Sequence, residues 1–216
     1  MSDWISAKQF HDAPGTEGWH VLYGGAQTVF RTGTFEAGVE FIRQIAIEAA
    51  SVGRDPDIDL RPEAVVVRTA ATESGRIDAA DAELARRVSA VAAELGLAPD
   101  PTGLHTVQIA IAEAEGTSTR DFWTTALGYE YANGLILDPL RRGPRMWFDE
   151  IREPGRGRTH IDVAVPTDQA EGRVAAVVAA GGRLADDSHV PEWWTLASPD
   201  NHGLDIAGWN DSDDEA

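Results

Sequence analysis

Apolar and polar positions in the N-terminal half of the chain switch between a period of two and a period near 3.6, and each switch marks an element. Residues 19–23 and 27–31 read as two short strands around Gly24-Gly25, which predicts a hairpin. Phe35, Val39, Ile42, Ile45, Ala46 and Ala49 recur every three or four positions, which predicts a helix with these residues as its buried stripe, ending near Gly53. Residues 58–60 and 64–69 read as strands. Asp78 is placed to cap a further helix whose stripe is Leu84, Val88, Val91 and Leu95. A short helix near residues 6–12 precedes the hairpin. Strand, strand, helix, strand, strand, helix is the order of an α+β unit: a small antiparallel sheet covered on one face by helices.

Two prolines and two glycines interrupt the pattern at Gly96-Leu97-Ala98-Pro99-Asp100-Pro101-Thr102-Gly103. Beyond this break the sequence repeats itself. The strand-like Val107-Gln108-Ile109-Ala110-Ile111 leads to a helix around Asp121-Phe122-Trp123 and then to Leu127-Gly128-Tyr129. His160-Ile161-Asp162-Val163-Ala164-Val165 leads through Thr167-Asp168 to a helix ending at Gly181-Gly182. Gln108 lies 20 positions before Gly128 and His160 lies 21 before Gly181. Three short strand candidates follow each glycine, so the unit strand, helix, strand, strand, strand occurs twice. The expected organisation is a first domain over residues 1–98, a linker over 99–104, a second domain over 105–209 and an acidic tail over 210–216.

Composition narrows the chemistry. The 216 residues include no cysteine, which excludes disulfides, thiolate nucleophiles and Cys-ligated metal. A net charge of −18, spread along the chain, repels phosphate backbones and anionic lipid, so neither nucleic acid nor a membrane is expected as a partner. No apolar run approaches the roughly 20 residues that span a bilayer, and MSDWISAKQF has neither a basic start nor an apolar core, so a cytoplasmic location is expected.

Five of the seven tryptophans lie in the second half. Trp147, Phe148, Trp193, Trp194 and Trp209 fall on or beside predicted strands, and some of them suit a pocket for a flat small molecule, with Trp147, Phe148 and Trp194 as the candidate lining. Trp193 and Trp194 are adjacent on a strand, so only one of the two can face any given side. His105, His189 and His202 lie near strand or turn ends, which predicts surface positions.

The repeated unit, with Asp121-Phe122-Trp123-Thr124-Thr125-Ala126-Leu127-Gly128-Tyr129 and the closing Ser198-Pro199-Asp200-Asn201-His202-Gly203-Leu204-Asp205-Ile206, resembles the glyoxalase, bleomycin-resistance and extradiol-dioxygenase superfamily over residues 105–209. The resemblance implies paired βαβββ modules whose sheets curl around a cavity for a small molecule. In metal-dependent members the ligands come from the first and last strands of each module. By position these fall on Gln108, His160 and Asp205. The fourth falls on Asp149, with Trp147 or Phe148 as the other residues able to hold the inward position. Such a donor set suits Zn, Ni, Mn or Fe(II). The other reading of Gln108 and His160 is as interior polar residues hydrogen-bonded across the cavity.

The first half resembles pterin-4a-carbinolamine dehydratase over residues 17–96. Phe41-Ile42-Arg43-Gln44-Ile45-Ala46, then Pro56-Asp57-Ile58-Asp59-Leu60, the strand over residues 65–68 and Gly75 to Asp81 carry the likeness. The resemblance implies three histidines that work as acid and base groups, but their positions hold Arg54, Asp55 and Thr72, while Asp81 is retained. Arginine stays protonated and threonine does not titrate, so efficient dehydration is not expected. Three readings follow: a glyoxalase-like protein that binds or converts a small molecule, with lyase-type chemistry; a dehydratase or pterin binder with altered residues; and a non-enzymatic scaffold. Each is compatible with a homo-oligomer.

Overall fold

A computed structural model describes residues 4–22, 24–70, 77–104, 108–151, 160–165 and 167–208. The chain divides into two compact units, Met1–Thr106 and Val107–Ala216. Among the described residues no helix is long and apolar enough to cross a membrane.

In the first unit, β1 (His20–Leu22), β2 (Gly25–Arg31), β3 (Asp57–Arg61) and β4 (Ala64–Ala70) form an antiparallel sheet in the order β1-β2-β4-β3. Helices α1 (Ala7–His11), α2 (Phe35–Val52) and α3 (Ala79–Glu94) supply the other elements, and their buried residues share one core with the sheet. That core gathers Phe10, Trp19, Phe30, Phe41, Ile45, Val65, Val67, Leu84 and Val88. Removing a side chain of this size from water contributes roughly 1.5–3 kcal/mol, so the layer of helices and the alternating strand residues stabilise each other.

Helix α2 lies on the sheet by a different stripe from the one its periodicity suggests. Gly38, Phe41, Ile45 and Ala49 are buried, whereas Phe35 is 53% and Val39 49% exposed, and Ala46 is exposed. The reason is Gly38: a Cβ there would meet Leu60 Cδ1 at 2.5 Å and Val65 Cγ2 at 3.3 Å, so the glycine lets this edge of the helix approach the strands closely. In α3 the stripe is Leu84, Ala85, Val88 and Ala92, and Leu95 falls just past the helix end and is exposed. The segment expected as a linker is tied to β2. Asp100 N donates to Val29 O at 2.7 Å, and Arg31 Nε pairs with Asp100 at 2.9 Å.

The second unit holds two four-stranded sheets. One has the order β5-β8-β7-β6, from β5 (Gln108–Ala114), β6 (Glu130–Ala132), β7 (Leu135–Leu137) and β8 (Arg145–Ile151). The other has the order β10-β11-β12-β9, from β9 (His160–Val165), β10 (Arg183–Asp186), β11 (Trp193–Ala197) and β12 (Gly203–Gly208). In each, the first and last strands of the module pair in parallel, β5 with β8 and β9 with β12. Helices α4 (Arg120–Leu127) and α5 (Thr167–Ala179) follow β5 and β9. One core of Ile111, Phe122, Trp123, Ile136, Met146, Val177, Leu196, Leu204 and Ile206 serves both modules.

His202 is the chief departure from expectation in this unit. It is only 6% exposed, and its Nε2 lies 3.2 Å from Ala112 O. The turn before β12 folds back on itself, with Ser198 N donating to His202 O and Asn201 at φ 61. Asp200 Oδ2 then accepts from Ala114 N at 3.2 Å. Because β5 is an edge strand, its outer N–H and C=O groups need partners, and this turn supplies them. His189 is exposed and stacks on Trp193 at 4.1 Å between ring centroids. His105 and Trp209 lie outside the described residues.

Candidate functional site

In the first unit the turn after α2 places Arg54 against the start of α3. Asp78 caps α3: its Oδ1 accepts from Ala80 N at 2.9 Å and Asp81 N at 3.1 Å. Asp81 Oδ2 accepts in return from Asp78 N at 2.9 Å, completing a reciprocal capping box. Arg54 Nη2 donates to Asp78 Oδ2, and its Nε faces Asp81 Oδ1 at 3.5 Å. Asp81 is 1% exposed, and burial pushes its carboxyl above the usual aspartate range despite the Asp78 backbone N–H and the Arg54 charge.

Asp55 is exposed while Arg54 is partly buried in the cluster. Thr72 lies outside the described residues. The arrangement fastens a loop to a helix end.

In the second unit, strand alternation sorts the candidate residues. Ile109, Ile161 and Val163 pack on the helix-side core with Leu204 and Ile206. The positions of Gln108, His160, Asp162 and Asp205 alternate with these and belong to the opposite face. Trp147 shares that face on β8 and is 39% exposed, whereas Phe148 packs on the helix-side core. Trp194 likewise packs on that core, so Trp193 is the member of the pair on the outer face. Phe148 and Trp194 are core residues here, because each is the strand neighbour that alternation turns toward α4 and α5.

Register then decides which donors come together. Asp205 on β12 pairs directly with Asp162 on β9, and His160 pairs with Gly203, two residues away. Three donor positions thus sit within roughly 8 Å of one another on adjacent strands. In the first module Gln108 pairs with Arg145, and the position matching Asp205 is Trp147. Asp149 pairs with Ala112, four residues along from Gln108, which is roughly 13 Å at the strand rise. Gln108 and Asp149 cannot share an ion across that distance. The Ser198–His202 turn sets Asp200 against Ala114 and His202 against Ala112, so the residues after the turn advance along β5 in the direction of Gln108. The pairing of Asp162 with Asp205 is not visible in the sequence, because its partner arrives from a strand some forty residues later and only the parallel register brings them level.

A cleft of about 660 Å³ opens on the helix side of the same unit. Leu127, Tyr129, Met146, Ile161 and Val163 line it, with Arg142 and Arg173 among its polar residues. Asp138, also in the wall, accepts from Leu140 N, Arg142 N and Gly143 N at 2.8–2.9 Å. Burial opposes ionisation of Asp138, but these three N–H groups outweigh it and hold the carboxyl below its usual range.

Comparisons with known proteins agree with this division. Residues 4–91 match the family model described as pterin 4 alpha carbinolamine dehydratase, and residues 108–207 match the model described as a glyoxalase-like domain. Among solved structures, a transcriptional coactivator/pterin dehydratase from Brucella melitensis is 21% identical, covering 41% of this chain and 98% of its own, with a TM-score of 0.37. The fosfomycin resistance protein FosX from Listeria monocytogenes, in a complex with Mn(II) and 1S,2S-dihydroxypropylphosphonic acid, is 15% identical over 49% of this chain and 90% of its own, at a TM-score of 0.38. FosX from Mesorhizobium loti is 8% identical over 49% and 92%, at 0.40. No curated protein matches the sequence. The chain thus carries a region similar to pterin 4 alpha carbinolamine dehydratase followed by a region similar to glyoxalase-like domains.

Proposed function

We propose that the glyoxalase-like domain binds and converts a small carbonyl or aromatic molecule on the sheet face opposite its helices, beside a divalent ion held by His160, Asp162 and Asp205. The observation that carries this reading is the β9–β12 register, which sets two carboxylate positions side by side and an imidazole position two residues along. One imidazole and two carboxylates suit Zn, Mn, Ni or Fe(II). Two like charges directly opposite each other repel, and a cation between them offsets that repulsion. Such an ion supplies Lewis-acid polarisation of a substrate oxygen or a bound water of lowered pKa. Trp193 on the same face provides a flat apolar wall that orients a substrate against these donors. Elemental analysis of protein purified without a chelating tag tests the reading. One ion per chain, lost in His160→Ala, supports it; no stoichiometric metal after reconstitution with each of the four ions rejects it.

The dehydratase domain takes a structural part in this reading. Arg54 is engaged with Asp78 and Asp81, whose carboxylates close the cap of α3. The exposed Phe35, Val39 and Ile47 on α2 support its use as an assembly surface in a homo-oligomer. Light scattering of the full chain gives the test, and a monomer mass at micromolar concentration rejects that part.

A further inference from the structure

The helix-side cleft is a separate place from the face just described. Ile161 and Val163 line it, whereas the intervening position 162 and its neighbour 160 belong to the other side of β9. The cleft exists because the shared core is not closed between the two modules. Ile109, Leu127, Ile161 and Val163 are only partly buried there, around the fully buried Met146. Such a surface remains in contact with water unless something apolar covers it.

Its polar groups have one sign of unspent capacity. Asp138 is fully engaged by three backbone N–H groups, so its carboxylate shapes the 138–144 loop and has little left to offer a ligand. Tyr129 pins that loop from within: its hydroxyl lies where a Cβ on Gly143 would be, so only glycine fits beneath it. Arg173 on α5 reaches across to α4, and its Nη1 donates to Ala126 O at 2.9 Å and Thr125 O at 3.4 Å, capping the carbonyl end of that helix. Gly128, at φ 68, leaves room for the guanidinium; a Cβ there would stand 3.3 Å from Nη1 and 3.4 Å from Nη2. Arg173 Nε and Nη2 carry no hydrogen bond to any described residue. Arg142 has a side chain 78% exposed and only a 3.7 Å approach to Asp138. In a protein of net charge −18, the cleft therefore combines an apolar floor with two guanidinium groups and one internally satisfied carboxylate.

We propose that this cleft is a second ligand site, for a small amphipathic monocarboxylate whose apolar body covers Ile109, Leu127, Met146, Ile161 and Val163 and whose carboxylate meets Arg173 and Arg142. Two arginines against Asp138 leave a net single positive charge, which matches a monoanion better than a phosphate dianion. Guanidinium forks also suit planar carboxylates. The Tyr129 hydroxyl, kept protonated by burial and the Asp138 charge, is a third donor at the same end. The volume is within the range of small-molecule sites. This site is independent of the metal reading.

The test is methyl NMR of the full chain titrated with octanoate, 1-octanol and octyl phosphate in the presence of EDTA. Octanoate is expected to shift the methyls of Ile109, Leu127, Leu140, Ile161 and Val163 saturably, and 1-octanol to bind about tenfold more weakly. Arg142→Glu, a change at an exposed side chain, is expected to weaken octanoate about tenfold, and Arg173→Gln to do the same while keeping a donor for Ala126 O. Absence of shifts at millimolar octanoate, shifts centred elsewhere, equal binding of 1-octanol, preference for octyl phosphate, or an unchanged affinity in Arg142→Glu would overturn the assignment. Since EDTA is present throughout, failure here leaves the metal reading untouched.

Discussion

Asp162 and Asp205 stand directly opposite each other on the parallel strands β9 and β12. Without a cation between them, in-register carboxylates cost roughly 0.2–1 kcal/mol. Asp162→Asn is therefore expected to raise the stability of the metal-free protein by about that amount, read as the urea midpoint in EDTA. A lower midpoint in the variant would show that the pair is not under repulsion.

Arg54 fastens the turn after α2 to the start of α3. Arg54→Met removes the charge facing Asp81, which is 1% exposed, while Asp78 keeps its capping bonds. Leaving a buried carboxylate without its partner costs about 3–5 kcal/mol in fully buried pairs, and Arg54 is partly exposed, so about 2 kcal/mol is expected. Denaturant unfolding measures it, and a loss under about 0.5 kcal/mol contradicts the role given to Arg54.

Asp81 also sets a pH dependence with a definite sign. Burial raises its folded pKa above the unfolded value, so its contribution to stability is complete below the ordinary aspartate pKa of about 3.9 and fades as pH rises through the folded value. Asp81→Asn keeps an acceptor for Asp78 N and removes the titration. The difference in unfolding free energy between variant and parent should shift in favour of the variant as pH rises through this window. A difference that stays constant across the window would remove Asp81 as the source.

His202 holds the Ser198–His202 turn against β5, and its replacement should be felt in stability. His202→Ala leaves Ala112 O without its partner and opens a space beside Trp123, whose ring lies 6.4 Å from the imidazole. About 1–3 kcal/mol of destabilisation is expected in thermal unfolding, against no measurable change if the histidine were a surface residue.

The elements were legible because local chemistry marked their ends. Gly24-Gly25 announces the hairpin, Gly53 in the left-handed region ends α2, Asp78 starts α3, and the matched spacing of Gly128 and Gly181 exposes the repeat. The buried face of α2 was not legible, since apolar residues occur on more than one side of that helix and only the close approach of Gly38 to Leu60 and Val65 selects among them. Site residues were harder for a related reason. His160 and Asp205 are visible as types, but that Asp162 comes level with Asp205 and Asp149 lies four residues along from Gln108 follows only from the parallel register of strands far apart in sequence. His202 looked like a turn residue on the surface, and nothing local tells that the edge of β5 would need it.

Calorimetric titration of the metal-free full chain with Mn(II) and with Zn(II) tests the central assignment most directly. The account predicts saturable binding of one ion per chain in the parent, and loss of that binding in the Asp162→Asn/Asp205→Asn double variant. Equal affinity in the double variant, or no binding by the parent at millimolar metal, would contradict it.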